Sequence, residues 1–145
     1  MLRAYHNLGA GYLTLTHGKS IDWAGSATDD PRHGGLPAFG EAVVPDLNRL
    51  RMLVDLSHVS EGTIHAALRV SKAPGMLPRF GARALDDQPR NVSDEMRKLL
   101  AANGGTVMVN FAPSYVSDVC RRWSTEQEAE RTRLNAPPFG GLQIG

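Results

Sequence analysis

Side chains able to do chemistry stand where apolar runs stop. In RMLVDLSHVS, residues 51–60, a run that reads as a buried strand leads directly into His58. His17 closes YLTLTH, residues 12–17, in the same way, and Asn110 holds the equivalent place in TVMVNF. An imidazole at the mouth of an apolar strand is costly to leave unpaired. Either it is a satisfied core histidine or it holds something, and neutral imidazole is the commonest nitrogen ligand for zinc. Two histidines at equivalent positions of successive strands favour a site, because convergent strand ends build one. A closed zinc site needs about four ligands and a catalytic one about three, and no HxH, HxD or HExxH motif supplies them. His65 falls in a helix, and His6 and His33 fall in surface positions; all three read as structural. Spacing alone yields an α/β protein and leaves open whether its strand-end histidines line a site or are satisfied structural residues.

The elements that must position these residues alternate along the chain. LRAYHNLG reads as a helix end stopped by Gly9, and a Gly- and Pro-rich loop spans residues 18–38. Phe39, Val43, Leu47 and Leu50 recur at helical spacing. A helix begins at Ser60, with Ile64, Ala67 and Leu68 facing inward, and PGMLPRF marks a third strand. NVSDEMRKLLAANGG is a helix capped by Ser93, with acidic residues in its first turn and glycines at its end. The charged run 117–135 is helical with a solvated face. Strands of continuous apolar character alternating with helices predict a parallel sheet covered by helices, with chemistry at the strand C-termini.

Composition narrows the function classes. The 145 residues are 41% hydrophobic and 21% charged, with formal net charge +1, which suits one soluble domain. Acidic and basic residues are interspersed, so no basic stripe for nucleic acid is present. The single cysteine, Cys120, excludes an internal disulfide framework and any CxxC motif. No apolar run is long enough to span a membrane and no signal-peptide core is present, so the expected location is cytoplasmic.

Beyond spacing, GYLTLTH, DWAGSATD, GLPAFGEAVVPDLNRL, MLVDLSHVS and ARALDDQPRNVSDEMRKLLAANGGTVMVNF closely resemble the renal or membrane dipeptidase family of zinc peptidases. The resemblance runs from about Leu2 to the final glycines. It implies a partial (β/α)8 TIM-like barrel of about four of the eight strand–helix units, the central fragment of one barrel domain over residues 1–145. In the complete family enzyme a binuclear Zn2+ centre at the barrel mouth lowers the proton affinity of a bridging water, which attacks the peptide carbonyl of a dipeptide. Carried over residue by residue, His58 matches a zinc ligand, and His17 matches a catalytic histidine contacting the scissile region and the oxyanion. Arg90, in QPRN, matches the arginine holding the substrate's terminal carboxylate, a task suited to a planar guanidinium fork. The resemblance also implies a homodimer as one option, whereas the expectation of neither a membrane nor a nucleic-acid partner rests on the composition and apolar runs alone.

The departures from the family pattern concern the metal. Arg79 stands where a second histidine ligand is expected, and a guanidinium has no lone pair to give. Pro78 removes a ladder donor from what should be a central strand. The His-x-Asp pair and the bridging glutamate would lie before Met1, and the acidic segment with a catalytic aspartate after Gly145. His58 is the one ligand of the usual five that survives. Arg51 stands where the family tends to have a positive-φ glycine, and Pro45 interrupts a helical pattern. Relaxed selection or a short frame slip through GMLPRF would account for these changes. The expected chain is an inactive fragment of a zinc metallodipeptidase. The alternatives are a non-catalytic relict or protein-binding module, or one half of a split enzyme. Half a barrel leaves sheet edges unpaired, so aggregation is expected unless a second polypeptide completes it.

Overall fold

Val54 and Leu56, Leu77, and Leu13 with Leu15 project toward one side of the chain's strands, and it is this side that the helices cover. The computed structural model describes residues 1–30 and 32–135. Its elements are α1 (Leu2–Asn7), β1 (Tyr12–Thr14), α2 (Ala38–Arg49), β2 (Leu53–Asp55), α3 (Glu61–Val70), β3 (Gly75–Phe80), α4 (Asp94–Ala102), β4 (Thr106–Val109), α5 (Pro113–Val116) and α6 (Asp118–Arg133). The four strands form one parallel sheet in the order β1-β2-β3-β4. Helices α2, α3 and α4 pack side by side against it. Val44, Leu47, Ile64 and Leu100 meet Val54, Leu56 and Leu77 in a core that is essentially sealed from water. This is the expected α/β architecture, with helical crossovers between parallel neighbours.

Local chemistry explains where each element starts and stops. Ser60 and Ser93 cap α3 and α4, their hydroxyls accepting from the Thr63 and Met96 amides, and Ser117 caps α6 in the same way. Leu50 ends α2, and Arg51 then takes φ 57° while the Met52 amide bonds back to the Leu47 carbonyl. That is a left-handed cap in which glycine would sit without strain, so Arg51 occupies the conformation foreseen for its position.

Two expectations are corrected by packing. Phe39 does not face the core: α2 buries Gly40, Val43, Val44 and Leu47, and Phe39 is 64% exposed, its ring edge-on to Trp23 at 5.9 Å. The cause is Gly40, where a Cβ would fall 2.2 Å from the Trp23 carbonyl oxygen. That close approach sets the rotation of α2 about its axis and turns Phe39 outward. The first strand is also shorter than residues 12–17, because from Leu15 onward the chain bends over the sheet end toward His58.

Pro78 does lie in a central strand, and the sheet accommodates it. β3 meets β2 only through Gly75 and Met76. Its register with β4 shifts between Leu77 and Phe80, so the missing donor coincides with a bulge. Pro45 has no such relief. It lies in the interior of α2, beyond the first turn, where its ring crowds the preceding turn and removes one hydrogen bond. Because Pro45 is exposed, Pro45→Ala is expected to stabilise the chain by about 1–3 kcal/mol. A urea titration checks this, and an unchanged midpoint would show that α2 has already relaxed around the ring.

Candidate active site

The C-terminal end of β2 is built around a buried carboxylate. Asp55 is fully buried. One of its oxygens accepts from the Thr14 hydroxyl at 2.6 Å and the other from the Ser57 amide at 2.8 Å. These bonds tie β1 to β2 and turn the chain so that His58 follows with φ 67°. A non-glycine residue in the left-handed region is uncommon, and such strain clusters at functional sites. The conformation is held by the loop after β1: the His58 carbonyl accepts from the Ala27 amide at 2.8 Å and from the Ser26 hydroxyl at 3.3 Å.

The His58 side chain is buried and meets two of the other expected site residues. Its ring stacks on the exposed His17 ring, with centroids 4.1 Å apart and planes at 30°. Its Nε2 lies 3.3 Å from Arg90 Nη2. A guanidinium only donates, so Nε2 accepts and the ring proton resides on Nδ1. Burial, reinforced by the charges of Arg90, His17 and Arg79 and opposed by Asp55, pushes the imidazole down to about 4. His58 is therefore neutral at physiological pH.

Arg90 is positioned by its neighbour in sequence. Asn91 is 1% exposed. Its Oδ1 accepts from the Gly81 amide at 3.0 Å, and its Nδ2 donates to the carbonyls of Asp86 and Tyr115 at 2.8 and 3.0 Å. One side chain thus joins the end of β3, the 86–91 turn and α5. Gly81 has to be glycine, since a Cβ there would lie 2.4 Å from the Tyr115 carbonyl oxygen. Arg121 braces the same turn by donating to the buried Asp86 carboxylate at 2.9 Å. With its loop fixed, Arg90 lies over the Tyr115 ring, 4.9 Å from the centroid, a cation–π contact that orients the guanidinium.

Of the expected site residues, the structure brings His17, His58 and Arg90 together at the strand C-termini. Asn110 does not join them in chemistry: its Oδ1 accepts from the Ala112 amide at 2.9 Å, which makes it a turn former. His6 and His65 are exposed, and the His33 Nε2 faces the Ile21 carbonyl at 3.1 Å. Asp55, Asn91 and Tyr115 were not foreseen as site-building residues. A carboxylate inside an apolar strand was the available signal for Asp55. The asparagine beside Arg90 gave none without knowledge of what surrounds it.

These residues do not fit a metal ion by themselves. Among the described residues no group of three or more His, Cys, Asp or Glu side chains could hold one. The Nε2 lone pair of His58 is directed at a guanidinium. Arg79 is exposed at the end of β3, and among the described residues neither it nor Arg90 pairs with a carboxylate. The arrangement can grip an anion and present the neutral His58 imidazole to a polar group.

Comparison with known proteins gives this geometry its context. Residues 1–135 match the family model described as membrane dipeptidase, peptidase family M19. The chain belongs to the membrane dipeptidase family. Over 118 residues it is 44% identical to dipeptidase aclJ of Aspergillus oryzae, covering 81% of this chain and 28% of that protein. It is also 44% identical over 117 residues to human dipeptidase 3, covering 77% of this chain and 24% of that protein. The solved structure of the probable dipeptidase PvdM from Pseudomonas aeruginosa superposes with a TM-score of 0.82 at 28% identity, covering 97% of this chain and 37% of that one. A Rhodobacter sphaeroides metallopeptidase, solved with a phosphinate mimic of the dipeptide L-Ala-D-Ala, gives a TM-score of 0.71 at 28% identity, covering 79% of this chain and 34% of that one. This membrane dipeptidase family chain thus spans about a quarter of the length of the curated relatives it matches. Its four-stranded sheet is a partial (β/α)8 barrel of the metal-dependent hydrolase kind. Among the described residues no helix is long and apolar enough to cross a membrane.

Proposed function

We propose that these residues form the substrate-gripping portion of a zinc-dependent dipeptidase barrel, and that they do not hydrolyse dipeptides unaided. The observation that carries this reading is the convergence of His17, His58 and Arg90 at the C-terminal ends of parallel strands, in a chain of the membrane dipeptidase family. Arg90, held by Tyr115 and the Asn91 turn, takes the terminal carboxylate of a dipeptide through its planar fork. His17, exposed beside it, faces the scissile carbonyl and donates to the oxygen on which negative charge develops. In a completed barrel His58 would offer one imidazole to a zinc centre once Arg90 turns away from its Nε2, and the other donors of that centre are not among these 145 residues.

The test is hydrolysis and metal binding by the same chain. With millimolar Zn2+ and a simple dipeptide, turnover is expected at the level of the buffer blank. The thermal midpoint is expected to move by less than about 1 °C, because a single imidazole binds zinc too weakly to stabilise a fold at that concentration. Zinc-dependent hydrolysis that His58→Ala abolishes would overturn the claim of inactivity. Co-expression with a polypeptide carrying a His-x-Asp strand should restore hydrolysis that Arg90→Ala removes. Failure of that complementation favours a second reading, a relict or protein-binding module without metal. Arg79 at the mouth, together with the guanidinium on His58 Nε2, supports that alternative.

A further inference from the structure

We propose that the mouth at the ends of β2 and β3 binds a small oxyanion of two negative charges, gripped between Arg79 and Arg90. Three features build this site, all of them within residues 14–115. The first is the end of β3. Leu77 and Phe80 both lie in the helix-covered core, 0% and 3% exposed, although strict alternation sends residues three apart to opposite faces. The register shift between them resolves the conflict. Arg79, the residue before Phe80, is thereby turned to the face away from the helices, where it is exposed. Re-aiming a side chain beside a site is what bulges recurrently do. The second feature is a backbone link. The Gly81 amide donates to Asn91 Oδ1 at 3.0 Å, and the Val92 amide donates to the Gly81 carbonyl at 3.1 Å. The end of β3 is therefore fastened to the turn that carries Arg90.

The third feature is the company the two guanidiniums keep. Arg90, seated over Tyr115, directs its Nη2 at the Nε2 of a neutral imidazole, 3.3 Å away. The charges of Arg79 and Arg90 both bear on that ring. Asp55, the carboxylate that acts on it, is fully buried and already accepts from the Thr14 hydroxyl and the Ser57 amide. Two guanidiniums bearing on one point, against one engaged carboxylate, repel a divalent cation and attract an anion. Planar forks match the paired oxygens of phosphate, sulfate and carboxylate groups. A dianion therefore suits both arginines, whereas a single carboxylate engages one. On binding, Arg90 exchanges an imidazole nitrogen for an anionic oxygen, which makes the stronger, charge-assisted bond. This site does not depend on the dipeptidase reading, since neither zinc nor hydrolysis enters its test and the terminal carboxylate of a dipeptide engages Arg90 alone.

The test is a titration of the 145-residue chain, labelled with nitrogen-15 arginine and kept free of metal by a chelator, with sodium sulfate at constant ionic strength. The Nε–Hε signals of Arg79 and Arg90 are expected to shift together and to saturate with one Kd of about 1 mM or below. Acetate should bind at least about tenfold more weakly. Arg79→Gln and Arg90→Gln should each weaken sulfate about tenfold, and Arg49→Gln, at an ion-paired surface position of α2, should leave it unchanged. Inorganic phosphate should match sulfate. Succinate separates the sources of the same chemistry: binding tighter than sulfate assigns the site to a dicarboxylate, and weaker binding to a phosphoryl or sulfuryl group. Sulfate that does not saturate by about 50 mM would overturn the proposal. So would an Arg79→Gln chain that binds sulfate as tightly as the parent, or acetate that equals sulfate, both marks of Arg90 acting alone. Should a glutamine variant fail to fold, the contrast between sulfate and acetate and the joint movement of the two wild-type signals still decide.

Discussion

Asn91→Ala is expected to lower the unfolding free energy by about 3 kcal/mol, the largest loss from any single polar side chain here. The Gly81 amide, the Asp86 carbonyl and the Tyr115 carbonyl would each lose a partner inside the protein, and a stranded buried group costs about 1 kcal/mol or more. Water cannot replace the amide without space, and Gly81 is already pressed against the Tyr115 carbonyl. Asn91→Asp should be no milder, because a carboxylate keeps the acceptor for Gly81 but turns a second acceptor toward two carbonyls. Gln88→Ala, which removes the 2.7 Å bond to the Ser114 carbonyl, should cost about 1 kcal/mol. Urea unfolding of the three variants tests the ranking. An Asn91→Ala chain within about 0.5 kcal/mol of the parent would mean that the turn carrying Arg90 is held by Arg121 and Asp86 alone.

Acid should destabilise the fold through His58. Its folded value lies near 4, below the 6.5 of an unfolded imidazole, so below pH 6.5 the unfolded chain binds the extra proton first. Stability contributed by the neutral ring is therefore complete above about pH 6.5, falls as pH drops, and is fully lost near pH 4. Over that window the loss reaches about 3 kcal/mol. Burial is the largest single influence and sets the sign; Arg90, His17 and Arg79 also oppose a proton there, and Asp55 favours it. His58→Asn removes the titration while tolerating the left-handed backbone. Its unfolding free energy should be nearly flat between pH 4 and 6.5, apart from carboxylate titration shared with the parent. Parallel curves for the two chains would rule out the assignment.

The parts of this fold that follow from local chemistry could be read in advance. Ser60, Ser93 and the glycines after α4 mark their helix ends unaided, and the four apolar runs find their strands. Arg51 was legible as a left-handed position only through the family pattern, which tends to have glycine there. Phe39 was not legible, because the helical period identifies a face only to within the rotation that Gly40 fixes against Trp23. Pro78 in a central strand looked destructive, and the relief by a register shift between Leu77 and Phe80 depends on β4, far away in sequence. At the site, the strand-end histidines were visible from spacing and Arg90 from family likeness alone. The left-handed backbone of His58, its contact with Arg90 and the bracing by Asn91 arise from tertiary packing, which no local pattern encodes.

The strand order repeats the chain order, and α3 packs on the helices before and after it, α2 and α4. Every long-lived contact is therefore made between units adjacent along the polypeptide, as in a short solenoid. Closing such contacts requires only short loops, so assembly can start at the β2–α3–β3 unit and spread outward in both directions without waiting for distant segments to meet. The same economy makes the ends weak. Among the described residues β1 and β4 each rest on one neighbour, so in these 145 residues alone they are expected to open before the middle does, the His17 side of the mouth coming apart while the strand before His58 still holds.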